Sequence, residues 1–178
     1  EVLISDLDDQ NNQNFQKKFG ELKNIKITNK KITEINGTFN TIVYLNVLEH
    51  IKEDKNEIAE AAKKLNDGGF LIILVPAHQK LYSKFDKAIG HHKRYEIEFF
   101  KDNSFKNLKI RKLIFLDFFG YFLYFFNNFF FKKDVYPSKL KVILWDKVFT
   151  PLTVVADFCI GYKVGKNILC VYEKEKEL

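Results

Sequence analysis

Two short apolar runs separated by one helical segment constrain the fold of this chain more than any other feature. Residues 41–45 read Thr-Ile-Val-Tyr-Leu, and Phe70 to Val75 is an unbroken apolar run closed by Pro76. Between them, the segment from Asp54 to Leu65 places apolar residues at helical spacing and charged residues on the other face. Strands that are apolar throughout are typical of parallel sheets covered on both faces, so residues 41–45 are predicted to be buried on both sides.

The rest of the chain continues the alternation of strands and helices. Strands are predicted at Val2–Ser5, Asn24–Thr28, Lys109–Phe115 and Asn167–Tyr172, and helical segments at Asn14–Phe19, from about Glu96, and at Trp145–Tyr162 with an interruption at Pro151. The triplet Asp67-Gly68-Gly69 is expected to end the helix that begins at Asp54. This order predicts an α/β fold with a mostly parallel sheet and helices on both faces.

Composition limits the class of protein. The 178 residues, 46% of them apolar, are enough for one domain with a buried core, and a second full domain is not expected. The net charge of +6 is read as a solvated, Lys-rich surface, and no nucleic-acid partner is expected because the aromatic residues cluster in apolar runs. Cys159 and Cys170 have neither disulfide-framework nor zinc-site spacing, which favours a reducing, cytoplasmic location.

The N-terminus is the unusual part of the sequence. The chain contains no Met and opens directly with the strand-like run Val2–Ser5, and its first residues lack the pattern of a signal peptide. We therefore expect a fragment of a longer protein.

Polar residues directly after the predicted strands are the first candidates for a ligand site, because ligands of open α/β sheets bind beyond the carboxyl ends of the strands. Asp6 and Leu7 follow the strand Val2–Ser5, and residues 46–50 follow the strand at 41–45. An acid in the position of Asp6 can accept two hydrogen bonds from a ribose diol. An Asp in such a place is also a common turn former or helix cap.

Two longer motifs carry a family resemblance. The strand followed by Leu48-Glu49-His50-Ile51, a helix, the turn Asp67-Gly68-Gly69 and another strand resembles the class I S-adenosylmethionine-dependent methyltransferases. The later segment from Asp86 through Gly90-His91-His92-Lys93-Arg94-Tyr95 resembles a branch of that family often found beside or fused to glycosyltransferases. Together the motifs identify the chain as a single partial methyltransferase domain over residues 1–178, with an aromatic-rich insertion at about 116–162.

The resemblance implies a Rossmann-like fold, S-adenosyl-L-methionine as cofactor, and methyl transfer to a small-molecule, glycan or lipid-linked acceptor. The implied cofactor contacts are Asp6, Leu7, Asn46, Val47, Leu48, Glu49 and His50. The implied substrate contacts are His78, Tyr82, Arg94 and Tyr95. The family's first strand and glycine-rich loop would precede Glu1, so this chain by itself is expected to bind the cofactor poorly.

His91 and His92 are the predicted catalytic bases, because the pKa of histidine suits proton transfer near neutral pH. Either histidine can equally be a structural loop residue, and Arg94 with Tyr95 can equally pin the loop to the domain. A metal site built from His78, His91, His92 and Asp86 fits no known ligand spacing, so no metal is expected.

The aromatic segment from Leu116 to Phe131 leaves further readings open. With Lys132 and Lys133 behind it, the segment is a candidate for peripheral membrane contact, and the alternative is a helix that covers the sheet or forms an oligomer contact. The rival to an enzyme is a non-catalytic module that binds a glycosyltransferase or a membrane. A nicotinamide-dependent oxidoreductase is disfavoured because no Gly-x-Gly-x-x-Gly occurs.

Overall fold

The computed structural model describes residues 1–101, 105, 107–130, 143 and 145–176. Within it the chain divides into two compact units, residues 1–38 and residues 39–178. The prediction that all 178 residues form one domain stays a prediction.

The first unit is a parallel strand pair with a helix between the strands. Strand β1 (Val2–Ser5) is followed by helix α1 (Asp9–Phe19) and then by β2 (Ile25–Thr28), which pairs with β1 in parallel. Asp8 caps α1 by accepting a hydrogen bond from the backbone N–H of Gln10. The predicted β-α-β order is confirmed here, although α1 begins five residues before the predicted Asn14 because the polar residues 9–13 also form helix.

The second unit is a four-stranded sheet with short helices after its strands. The strands are β3 (Phe39–Leu45), β4 (Leu65–Pro76), β5 (Leu108–Leu116) and β6 (Asn167–Lys174), in the spatial order β3-β4-β6-β5. The helices are α2 (Asp54–Lys63), α3 (Lys84–Ala88), α4 (Ile97–Phe100), α5 (Phe118–Phe130) and α6 (Thr150–Cys159).

The prediction of a mostly parallel sheet is wrong. Strand β3 runs parallel to β4, but β6 is antiparallel to both of its neighbours, β4 and β5, so the sheet is mixed. The reason lies in where the chain re-enters the sheet. Asn167 at the start of β6 pairs with Leu116 at the end of β5, and a strand that begins at the edge where its neighbour ends must run the opposite way.

Burial is concentrated on one face of this sheet. Leu71, Ile73 and Val75 of β4 are 0% exposed, and their antiparallel partners on β6 are also buried. Ile58 and Ala61 of α2 are buried as well, which agrees with the helical spacing in the sequence.

The expectation that residues 41–45 are buried on both faces is wrong. Tyr44 is buried, but Val43 is 49% exposed and Leu45 is 56% exposed. Strand β3 is the edge strand of the four-stranded sheet, so its outer neighbours are absent among the described residues of this unit. A run of apolar residues therefore identified the strand but not its place in the sheet.

One predicted helix boundary is also wrong. Helix α2 ends at Lys63, and the Asp67-Gly68-Gly69 turn lies inside β4, where Gly68 has a φ of +75° and the register with β3 shifts. The predicted interruption at Pro151 corresponds to the start of α6 at Thr150, and Pro151 lies in the first turn of that helix, where its missing N–H removes no intrahelical bond. A π-helical turn, Trp145–Phe149, precedes it.

The predicted aromatic insertion corresponds to α5, the π-helical turn and α6. Phe131, Lys132 and Lys133 lie outside the described residues. Among the helices that the structure describes, none combines the length and the apolar composition that crossing a bilayer requires.

Candidate functional site

A buried carboxylate organises the loop that follows β4. Asp86 lies on α3, and its side chain is 1% exposed. Its Oδ2 atom accepts hydrogen bonds from the backbone N–H of Ser83 at 2.8 Å, from the Ser83 hydroxyl at 2.7 Å and from the Tyr124 hydroxyl at 2.8 Å. Its Oδ1 atom faces His91 and Arg94. One carboxylate thus joins α3, the loop after it and α5.

Arg94 is the charged partner of Asp86 inside the protein. Its side chain is 4% exposed, and its Nε and Nη2 atoms lie 3.0 and 2.9 Å from Oδ1 of Asp86. Its Nη1 atom donates to the carbonyl oxygen of Ala77, and the guanidinium stacks over the Tyr124 ring at 4.3 Å. The described contacts of Arg94 are therefore with the protein, which fits the alternative that this residue pins the loop to the domain.

Burial alone would raise the pKa of Asp86. The hydrogen bonds from Ser83 and the charge of Arg94 outweigh the burial, so the pKa of this carboxyl lies below its usual value. Asp86 is consequently an anion near neutral pH and acts as a fixed acceptor.

The buried carboxyl of Glu49 differs from that of Asp86 both in its contacts and in the direction of its pKa. Its side chain is 0% exposed in the 3-10 turn Leu48–His50 that follows β3, and neither carboxylate oxygen has a hydrogen-bond partner among the described residues. Burial raises the pKa of Glu49 to about 7, and its own backbone N–H and the charge of Arg94 oppose this increase only in part. A buried carboxyl without hydrogen bonds is costly and is a common mark of a functional site.

His91 lies between the two acids. Its Nδ1 atom is 3.1 Å from Oδ1 of Asp86, and its Nε2 atom is 3.7 Å from Oε1 of Glu49. Because the Asp86 carboxylate is an acceptor, the Nδ1 atom carries the hydrogen and the Nε2 atom presents its lone pair towards Glu49. The His50 ring meets the His91 ring edge-on at 4.7 Å. Burial lowers the pKa of His91, although Asp86 opposes this shift.

Tyr95 joins this loop to the turn after β3. Its hydroxyl lies 3.0 Å from the carbonyl oxygen of Leu48 and 2.7 Å from Oδ2 of Asp54, and its ring is 1% exposed. Lys93 forms an ion pair with the same Asp54 carboxylate. The Tyr82 hydroxyl donates to the carbonyl oxygen of His91 at 2.7 Å. These bonds fix the position of the loop after β4 relative to the turn after β3.

The side chains of His78 and His92 lie apart from the cluster formed by Glu49, Asp86, His91 and Arg94. The Nε2 atom of His78 is 3.0 Å from the carbonyl oxygen of Gly165, and its ring stacks on Phe115 at 5.1 Å. His92 is exposed, and only its backbone N–H reaches the cluster, where it donates to the carbonyl oxygen of Glu49. Of the two predicted bases, the structure places only the His91 side chain beside the buried acids.

The remaining predicted cofactor contacts fall in both units. Asp6 directly follows β1, and its Oδ1 and Oδ2 atoms accept hydrogen bonds from the N–H of Asp8 and the Nδ2 of Asn11, while Leu7 is 63% exposed. In the second unit, Asn46 follows β3 with a φ of 51°, which places it in the left-handed region. Val47 is 42% exposed and Leu48 is buried.

Three contributors to this cluster were not predicted as site residues, namely Asp86, Ser83 and Tyr124. Asp86 is the first residue of the segment Asp-x-x-x-Gly-His, so the motif carried a signal for it. Ser83 is recognisable as a helix cap, since it accepts from the N–H of Asp86 and opens α3. Tyr124 is 38 residues from Asp86 on a helix of aromatics, and the sequence gives no signal for its contact.

Comparison with known proteins places the fold. The sequence matches no protein-family model and no curated protein. Among solved structures, the chain is similar to the N-methyltransferase NodS from Bradyrhizobium japonicum in complex with S-adenosyl-L-homocysteine, with a TM-score of 0.59, 12% identity, and coverage of 99% of this chain and 67% of that one.

Two further solved structures are similar to this chain over nearly its whole length. Coclaurine N-methyltransferase bound to N-methylheliamine and S-adenosylhomocysteine gives a TM-score of 0.62 at 14% identity, covering 97% of this chain and 60% of that one. The [4+2]-cyclase SpnF gives 0.60 at 12% identity, covering 99% and 67%. A cyclase among the neighbours illustrates that fold alone does not fix the reaction. The structural neighbours of this chain include class I S-adenosylmethionine-dependent methyltransferases at low identity, and the chain has their mixed α/β, Rossmann-like fold.

Proposed function

We propose that this protein transfers a methyl group from S-adenosyl-L-methionine to a small-molecule, glycan or lipid-linked acceptor. The observation that carries the proposal is the unpaired, buried Glu49 carboxyl 3.7 Å from the Nε2 atom of His91, after β3 and beside the loop that follows β4. On a sheet of this fold, that is the edge where ligands bind.

The residues after β1 and β3 suit the cofactor. Val47, after β3, exposes an apolar side chain that an adenine ring can cover. The oxygens of the Asp6 carboxylate accept hydrogen bonds from the backbone N–H of Asp8 and from the Asn11 side chain of α1, and a ribose diol offers equivalent donors. We assign Asp6, Leu7, Asn46, Val47 and Leu48 to the cofactor, and the Glu49 and His50 side chains to the acceptor side.

The cofactor supplies an already activated methyl group, so the protein chiefly has to position the acceptor. With the cofactor bound, its methyl group would pass to the acceptor oxygen or nitrogen as the sulfur–carbon bond breaks, and the acceptor would release its proton to solvent. We assign the acceptor side to the edge formed by Glu49 and His91, with Tyr82, Arg94 and Tyr95 holding the loop in place. His78 and His92, which lie outside this cluster, are assigned secondary contacts with the acceptor.

Calorimetric titration of S-adenosylhomocysteine tests the cofactor assignment. Two versions of the protein are compared, this chain and one extended upstream to the native start codon. We expect the extended version to bind and this chain to bind weakly, because a glycine-rich loop lets backbone N–H groups approach the cofactor. In the extended version, Asp6→Ala should weaken binding about 10- to 100-fold through lost charged hydrogen bonds, whereas the exposed Asp9→Ala should not. Binding by neither version contradicts the proposal.

A second candidate function, attachment to a lipid surface, rests on helix α6. This helix buries Thr153 and Asp157 while it exposes Val154, Val155 and Phe158 at 65%, 62% and 74%. Asp157 faces inwards because its carboxylate oxygens accept hydrogen bonds from the backbone N–H groups of Asp117 and Phe118 at the start of α5. The polar face of α6 is thus used internally, and an apolar face is left outside. Exposed apolar patches of this kind mark binding surfaces, and an apolar helix face suits a bilayer interface.

Co-sedimentation with vesicles of phosphatidylcholine and phosphatidylserine tests this surface. We expect the protein to bind, and Phe158→Asp to weaken binding by about tenfold or more, since burying one Phe contributes roughly 1.5–3 kcal/mol. Leu22→Asp is the matched control, because Leu22 is an exposed apolar residue of the first unit. Equal loss in both variants, or no binding by the unaltered protein, contradicts the assignment.

A further inference from the structure

Three side chains that ligate metals in proteins converge beside the candidate acceptor edge. One carboxylate oxygen of Glu49 and one ring nitrogen each of His50 and His91 all lie within 4.8 Å of one another. We propose that these three residues bind a divalent metal ion. Two imidazoles and a carboxylate form a donor set that suits zinc and the neighbouring divalent transition metals.

Glu49 supplies an independent reason to expect a ligand at this place. Its carboxyl is fully buried, and both of its oxygens lack a hydrogen-bond partner among the residues that the structure describes. Buried carboxylates are otherwise paired, hydrogen-bonded or bound to metal. The guanidinium of Arg94 is already held by Asp86. A cation bound to the Glu49 carboxylate would supply the partner that both oxygens lack.

His91 is already oriented as metal-binding histidines are. Its Nδ1 atom is hydrogen-bonded to the Asp86 carboxylate at 3.1 Å, which leaves the Nε2 lone pair facing Glu49 at 3.7 Å. A carboxylate behind the second ring nitrogen is the usual support of a metal-ligating histidine, because it fixes both the tautomer and the ring orientation. Asp86 is in turn fixed by Ser83 and Tyr124. Asp86 is therefore a positioning residue for this site.

The geometry requires only a small adjustment. Metal–ligand distances of about 2.0–2.2 Å place the ligand atoms of a tetrahedral site about 3.4 Å apart. Glu49 and His91 are within a few tenths of an ångström of that separation. His50 is exposed and contacts His91 only ring to ring, so its side chain is the one that is able to rotate inwards.

Three protein ligands leave a fourth position open, as in catalytic zinc sites. This last step rests on the proposed function: the open position takes the acceptor hydroxyl, whose proton is lost to solvent more easily when its oxygen is bound to a cation. The sequence predicted no metal site, and the grouping rejected on its spacing, His78, His91, His92 and Asp86, shares only His91 with this set.

Titration with Co²⁺ tests the site directly, using protein without a histidine tag. Tetrahedral or five-coordinate Co²⁺ absorbs visible light far more strongly than hydrated Co²⁺, so the readout does not depend on methyl transfer. We expect one equivalent of Co²⁺ to bind, to be displaced by Zn²⁺, and to give this absorption. The absence of Co²⁺ and Zn²⁺ binding overturns the inference, and it does so whether or not S-adenosylhomocysteine binds.

Four variants locate the ion. His50→Ala changes an exposed residue and should keep the fold, and Glu49→Gln preserves the size of the side chain. Both should weaken Co²⁺ binding at least tenfold, and Asp86→Asn should weaken it about 10- to 100-fold. His92→Ala is the matched control, because His92 is the next residue in the same loop and should leave binding unchanged. If His50→Ala and Glu49→Gln bind as the unaltered protein does, the ion lies elsewhere and the inference is wrong.

Discussion

Replacing Asp86 by Ala is expected to lower the free energy of unfolding by about 3–5 kcal/mol. The substitution leaves the guanidinium of Arg94, which is 4% exposed, without its counter-charge. It also removes the acceptor of the Ser83 and Tyr124 hydroxyls and of the His91 ring. Urea denaturation followed by circular dichroism measures the change.

Two comparisons separate this effect from general damage. Asp67→Ala is the matched control, since the Asp67 side chain is 50% exposed and its one described ion pair spans 3.9 Å, so we expect a change within about 0.5 kcal/mol. Replacing both partners, with Asp86→Leu and Arg94→Met in one protein, should recover much of the loss because no buried charge is left unpaired. A loss below about 1 kcal/mol for Asp86→Ala contradicts the buried pair.

The second large effect is a dependence of stability on pH through Glu49. Burial raises the pKa of its carboxyl from 4.5 to about 7 in the folded protein. The folded state therefore holds this proton more tightly than the unfolded state, and the associated stability is fully present below pH 4.5 and is lost as the pH rises to about 7. The difference corresponds to about 3 kcal/mol. We expect this behaviour in protein treated with a chelator.

Urea denaturation between pH 4.5 and pH 8 measures the effect. The groups that face Glu49 are Arg94, Asp86, His50 and His91. The charge of Arg94 lowers the pKa of Glu49, and the charge of Asp86 raises it. Glu49→Gln cannot ionise, so its stability should fall less steeply over this range. Glu53→Gln, at an exposed position on the same segment, should keep the slope of the unaltered protein. Equal slopes for Glu49→Gln and the unaltered protein would show that Glu49 is not the responsible group.

The strands were largely predictable from the sequence because apolar runs are local. β1 was predicted to the residue, and β6 only lacked its last two polar positions, Glu173 and Lys174. The local pattern did not predict which strands are neighbours in the sheet. β3 is apolar enough for a covered strand and is nevertheless an edge strand of its unit, and β6 is reversed because of where the chain re-enters the sheet.

The site divides in the same way. The sequence by itself determined which residues follow the strands, and hence that Glu49, His50 and His91 are candidates, because strand order and motif spacing are written in consecutive residues. Only the tertiary structure decided that Asp86 binds Arg94, Ser83, His91 and Tyr124 at once, and that Glu49 is buried without a partner. Those outcomes depend on which distant side chains meet in the interior, and on how much water the packing removes, and neither quantity is encoded in any single local pattern.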